Sequence, residues 1–297
     1  MTKPYRTPHI LIFDSGVGGL SVYQHIRLHI PQAQLSYLSD NGGFPYGDKE
    51  ERFLISRCAG VIEQYLQQSS NKPDVIVIAC NTASTLALPH LRQRLTQPVV
   101  GVVPAIKPAA NASNNKYMGV LATPGTINRD YTRHLIQSFA SSCHVVTSGS
   151  TQLVHLAEAK LRGETVPELL LASCLKKFVS VSPANPYPAA LDCLVLACTH
   201  FPLLKEEIAR VLGPQVMLMD SGDAIARRVA YWIHELGFIL SNNAQPHKSN
   251  AFFTLQDDKL NELKPGLEQF GIESYSVLTL SAEVPKPAPL FANHLIP

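Results

Sequence analysis

The chain has 297 residues, 45% of them hydrophobic and 16% charged, with 25 Lys and Arg against 23 Asp and Glu. That length buries one large core or two ordinary ones, and that apolar fraction excludes a disordered chain. A net charge of +2 leaves no electrostatic footprint for nucleic acid, and no apolar run nears the roughly 18 residues that span a bilayer.

The chain begins MTKPYRTPHILIFDSG, whose apolar stretch is too short for a secretory signal, so a cytoplasmic location without membrane or nucleic-acid partners is expected. Residues 9–13 read as a buried strand, after which Leu20, Tyr23, Ile26 and Ile30 recur at helical spacing. Residues 34–38 read as a strand, and Phe53, Val61, Tyr65 and Leu66 fit the inner face of a longer helix. The β-branched run DVIVIA at 74–79 reads as a central parallel strand, followed by a helix to about Leu91 and a strand over 98–103. Further strands are expected over 117–123, 144–147, 191–197, 216–219, 251–255 and 275–280, and helices over 127–139, 152–161, 169–179, 224–236 and 260–270. Loop-rich stretches fall at 40–48, 180–190 and 241–250. Strands alternating with helices through short connections predict an α/β protein of parallel sheets covered by helices.

Two segments echo each other. Ala-Cys-Asn-Thr-Ala at 79–83 and Ala-Cys-Thr-His-Phe-Pro at 197–202 each follow a buried strand and precede a helix. The echo suggests two similar domains facing each other.

Six cysteines at irregular spacing, with no CxxC, do not make a disulfide framework in a chain of this size. Each is by default a small buried hydrophobe. Cys58, Cys143, Cys174 and Cys193 stay with that reading; Cys193, an odd number of residues from Cys198, points the other way along its strand. Trp232 reads as helix packing or an interface anchor.

Three places carry chemistry. Asp14-Ser15-Gly16-Val17-Gly18-Gly19 follows a strand and opens a helix, so its glycines let the backbone approach a ligand. Its spacing is not GxGxxG, and Asp14 would repel a pyrophosphate, so a small carboxylate ligand fits better than a dinucleotide. The plain alternative is a tight turn with Asp14 capping the helix. Cys80-Asn81-Thr82 stands at the carboxyl end of a strand, where open α/β sheets bind ligands. A helix N-terminus there would lower the thiol pKa; on position alone, a core residue ending its strand is an equal reading. Cys198-Thr199-His200 repeats the arrangement with an imidazole added. A Cys–His pair also suits a metal or a hydrolytic nucleophile, but the first lacks further ligands and the second leaves Cys80 and Asp14 without a role. Two thiols, each ending a central strand beside donors, suit a reaction that removes a proton from one face of a carbon and returns one to the other, as a racemase does.

The chain resembles the bacterial glutamate racemases, within the cofactor-independent aspartate/glutamate racemase superfamily. FDSGVGGL at 13–20, FPYG at 44–47, ACNTA at 79–83, VVGVVPAIKP at 99–108, LATPGT at 121–126 and CTHFPLL at 198–204 carry the resemblance over nearly the whole chain. It implies two parallel-sheet α/β domains related by pseudo-symmetry, with the active site in the cleft between them: residues 1–104 and 220–297 in the first, 105–219 in the second. It implies L- and D-glutamate as substrates, supplying D-glutamate for peptidoglycan, with no cofactor and no metal. Cys80 would act on D-glutamate and Cys198 on L-glutamate, assisted by Asp14, His200 and Glu158. Asp14, Ser15, Tyr46, Gly47, Asn81, Thr82, Thr123, Thr126, Thr199 and His200 match substrate-binding positions, with Tyr46 acting through its backbone. Some proteobacterial members respond to a UDP-linked cell-wall precursor, and members occur as monomers or homodimers. The chain departs from many members in reading Ser-Gly-Ser-Thr-Gln at 148–152, ahead of Glu158, where they carry Cys-Pro, and in having Pro124 where a charged residue is frequent.

Overall fold

A computed structural model describes residues 6–179, 191–240 and 247–286. The loop expected over 180–190 and residues 241–246 of the later one lie outside the described residues. The strands are β1 (His9–Asp14), β2 (Gln34–Ser39), β3 (Val75–Ile78), β4 (Val99–Gly101), β5 (Tyr117–Ala122), β6 (His144–Gly149), β7 (Cys193–Leu196), β8 (Met217–Met219), β9 (Ser249–Phe253) and β10 (Ile272–Val277). The helices are α1 (Leu20–His29), α2 (Glu51–Gln68), α3 (Asn81–Arg94), α4 (Ile106–Ala112), α5 (Pro124–Ile127), α6 (Asp130–Phe139), α7 (Gln152–Leu161), α8 (Glu168–Val179), α9 (Lys205–Leu212), α10 (Gly222–Glu235), α11 (Asp258–Glu262) and α12 (Lys264–Gln269).

They build an α/β protein with two sheets. One has six strands in the order β10-β9-β2-β1-β3-β4, the other four in the order β6-β5-β7-β8, and every pairing is parallel. The second order repeats β2-β1-β3-β4 of the first, which is the pseudo-symmetry announced by the two cysteine segments. After α9 and β8 the chain returns to the first sheet, where α10 packs on α1 and β9 pairs with β2.

Because the central strands are covered on both faces, they read as continuous apolar runs rather than alternating ones. Ile10, Ile12, Val75 and Val77 face a core built with α1 and α10, whereas Leu11, Phe13, Ile76 and Ile78 face one built with α2 and α3. In the second sheet Leu121, Leu194 and Leu196 pack toward α7, α8 and α9, and Met118, Val120, Cys193 and Val195 toward α4 and α6. Cys193 and Cys198 thus belong to opposite faces, as their spacing requires.

Four local expectations change. The helix expected over 127–139 is broken: α5 ends at Ile127, Arg129 is extended, and α6 starts at Asp130. The one expected over 260–270 is divided between α11 and α12, where Pro265 enters the first turn of α12 and cannot supply the N–H that continuity needs. α4 was not anticipated; it reads IKPAANA, with little apolar period. The helix expected behind the Cys198 motif is α9, which buries Ile208 and Leu212. The last strand runs earlier than expected, as an edge strand with exposed side chains paired only to β9.

Candidate active site

In both sheets the strand order reverses at the centre, between β1 and β3 and between β5 and β7. The carboxyl ends of such strands leave a crevice for a ligand. Ser15 follows β1; Cys80, Asn81 and Thr82 follow β3 and open α3; Thr123 and Thr126 follow β5; Cys198, Thr199 and His200 follow β7. These residues, with Tyr46 and Gly47, line one narrow cavity between the sheets. Asp14 and Glu158 do not line it: Asp14 is wholly buried beneath, and Glu158 stands behind His200.

Each thiol is 7% exposed. Cys80 Sγ lies 3.8 Å from the Ser15 hydroxyl, and Cys198 Sγ lies 3.9 Å from His200 Nδ1. Burial, reinforced by the Asp14 carboxylate, pushes the Cys80 thiol up to about 12. The expectation that a helix N-terminus would lower it is overturned. The Ala83 N–H at the start of α3 does act in that direction, but desolvation outweighs one backbone dipole. Burial likewise raises Asp14, opposed by His200, the Gly16 N–H and Thr199.

His200 behaves differently. Burial by itself would lower it, yet its hydrogen bonds to Cys198 and Glu158, and their charge, hold the ring well above 6.5. Its Nε2 lies 2.8 Å from Glu158 Oε1, which also accepts the Val17 N–H at 2.8 Å. The two thiol environments are therefore unlike: the charge of Asp14 acts on Cys80, whereas Cys198 contacts an imidazole whose pKa is raised.

The glycine segment serves this packing. Asp14 accepts from the Gly16 N–H through Oδ1 (2.8 Å) and from the Thr199 hydroxyl through Oδ2 (3.0 Å). It does not cap α1, whose first turn follows Gly19 with no side-chain cap. A Cβ added to Gly18 would collide with the His200 ring, and one on Gly16 with Glu158. These glycines let segments from the two sheets close on each other.

The hydroxyl of Thr126 lies within hydrogen-bond distance of Thr123 (3.1 Å) and Thr82 (3.4 Å). Asn81 Oδ1 is buried without a partner and Asn81 lines the cavity, so an incoming donor would satisfy it. The Tyr46 side chain turns into the core, its hydroxyl on Asp40, which leaves its backbone to the cavity. Phe44, Thr151 and Val154 also line the space, and Phe44 packs on the rings of His200 and His155. Sequence reasoning gave those three no role; FPYG signalled only the first.

A family model described as Asp/Glu/Hydantoin racemase matches residues 21–229. The chain is 54% identical to a glutamate racemase of Shewanella denitrificans over 74% of this chain and 76% of that one. It is 47% identical to a glutamate racemase of Shewanella woodyi over 90% and 97% respectively. Among solved structures it is similar to Escherichia coli glutamate racemase in complex with L-glutamate and the activator UDP-MurNAc-ala, at 41% identity and a TM-score of 0.84. That match covers 93% of this chain and 100% of the other.

Proposed function

The chain belongs to the Asp/Glu/hydantoin racemase family and is an amino-acid racemase, and from that footing we propose that it interconverts L- and D-glutamate by proton transfer between two cysteines, with no cofactor. One observation carries the reading: two thiols, one at the equivalent strand end of each sheet, line a single cavity.

Cys198 as thiolate takes the α-proton of L-glutamate, with the His200 imidazolium beside it. Cys80, held as a thiol, delivers its proton to the opposite face of the carbanion and leaves D-glutamate. The proton gained by Cys198 and the one lost by Cys80 are restored through His200 with Glu158, and through Asp14. The reverse reaction runs the same steps backwards. Stabilisation of the carbanion falls to donors fixed in a dry site: the Asn81 and Thr82 amides, the Thr82, Thr123 and Thr126 hydroxyls, and the backbone of Ser15, of Tyr46–Gly47 and of Thr199. A hydrolase built on Cys198 and His200 alone would leave Cys80 idle in the same cavity.

D-glutamate made this way supplies peptidoglycan synthesis, and the chain works in the cytoplasm; among the described residues no helix is long and apolar enough to cross a membrane. The Escherichia coli relative is described with UDP-MurNAc-ala as activator, and we infer that a UDP-linked cell-wall precursor activates this chain too. The test is incubation with L-glutamate in D₂O, without and with that precursor, followed by NMR of the α-proton and by circular dichroism. Loss of both signals, faster with the precursor, is the expected result. Retention of both, with aspartate equally inert, would return the site to a binding or hydrolytic role.

A further inference from the structure

Beneath the cavity wall lies an ion pair that the proton transfer does not use. Asp40, which follows β2, is wholly buried, and the Arg57 side chain from α2 is 3% exposed. Asp40 Oδ2 accepts from Arg57 Nε (2.8 Å) and from the Tyr46 hydroxyl (2.6 Å). Its Oδ1 accepts from Arg57 Nη2 (2.7 Å) and from the Thr254 hydroxyl (2.6 Å). Arg57 Nη1 donates to the Pro285 carbonyl at 2.7 Å. The pair thus ties β2, α2, the end of β9 and the C-terminal segment to one residue of the cavity lining.

A buried pair of this kind is a poor source of stability, because desolvation of the two charges offsets their attraction and apolar residues would fill the space as well. What apolar residues would not supply is direction. The guanidinium fork fixes the carboxylate plane, and that plane fixes where the Tyr46 hydroxyl must lie. The segment it anchors is a loop, held elsewhere by hydrogen bonds of Asn41 and Gly42 with Thr254 and Leu255 and by the packing of Phe44 on His200. It consists of two three-residue turns, Asn41–Gly43 and Tyr46–Asp48, with Phe44 and Pro45 between them. Yet its placement is demanding: a Cβ on Gly47 would stand 3.2 Å from Thr123, and one on Gly125 would strike the Gly47 carbonyl. The segment is at once a wall of the cavity and the point where the first sheet's loop meets the second sheet's turn.

We propose that Arg57 is a positioning residue for substrate binding: through Asp40 and the Tyr46 hydroxyl it holds the Tyr46–Gly47 backbone at the distance from Thr123 and Thr126 that the glutamate pocket requires. This deepens the glutamate reading and rests on it. Tyr46→Phe cuts the segment from the pair and leaves the pair intact; Arg57→Lys keeps the charge and loses the fork. Both are expected to raise KM for L- and D-glutamate about tenfold, the equivalent of one lost hydrogen bond to a charged group, with kcat within about twofold. Ile62→Val, an apolar truncation in the core on the same helix, serves as the control: its thermal midpoint drops while KM and kcat stay at wild-type values. A folded Tyr46→Phe with wild-type KM overturns the proposal, as does an equal rise in KM in Ile62→Val, which would make the effect one of stability. Should Arg57→Lys fail to fold, Tyr46→Phe decides. Turnover by the wild type in the same assay separates failure of this proposal from failure of the glutamate reading, since only the latter abolishes it.

Discussion

At the scale of residues, the candidate site gives two chemically identical groups different surroundings. Burial and the charge of Asp14 drive Cys80 toward its neutral form, whereas Cys198 lies beside a ring whose pKa is raised. In the proposed mechanism, replacing either sulfur by oxygen removes a group acidic enough to exchange a proton with the substrate, but barely changes volume. Cys80→Ser and Cys198→Ser are each expected to retain the far-UV spectrum and lose racemisation by at least about a thousandfold, within the range for removal of a general acid or base. Near-normal turnover in either variant would sink the two-thiol mechanism. The His200–Glu158 pair carries a pH signature. A ring raised above 6.5 binds its proton more tightly in the folded protein than in the unfolded chain. Its stabilisation is therefore complete below about pH 6.5 and lost as pH rises through the higher folded value. Urea unfolding of wild type and Glu158→Gln should differ by about 2 kcal/mol at pH 6, and the gap should narrow on the alkaline side. A gap that widens there would contradict the assignment.

At the scale of elements, glycine decides how closely the sheets approach. Gly18 has no positive φ to explain it; it is required because His200, from beyond β7, occupies the space of a side chain. Gly18→Ala is expected to displace the imidazole and reduce kcat/KM by at least about tenfold, equivalent to 1.4 kcal/mol of transition-state stabilisation, while the thermal midpoint moves by only a few degrees. Unchanged kinetics in that variant would show that the ring can shift without consequence.

For the whole molecule, the cavity is shared between two sheets, and a ligand bound there links them. A substrate that binds only the folded chain stabilises it by about 2.7 kcal/mol at a concentration of 100 Kd, which is several degrees in thermal midpoint for a chain of this size. D-glutamate is expected to give such a shift and D-aspartate, one methylene shorter, to give none at the same concentration. Equal shifts from both would mean that the cavity does not measure side-chain length.

The sequence by itself determined the class of fold, because a strand covered on both faces must be apolar throughout and a covering helix must keep its period. It determined as well the chemistry on offer, since two cysteines at matching strand ends are legible without coordinates. Boundaries failed where local signals were weak or misleading: α4 shows little period, and nothing at Asn128 and Arg129 announces a break. Only the tertiary structure decided what the groups become. Asp14 and Cys80 are 66 residues apart, and Glu158 and Val17 are 141 apart; burial and charge between such partners set the protonation of each. Spacing had suggested an acidic Cys80 thiol, and the fold reverses this, because desolvation depends on every residue packed around a group and a linear reading sees only its neighbours in the chain.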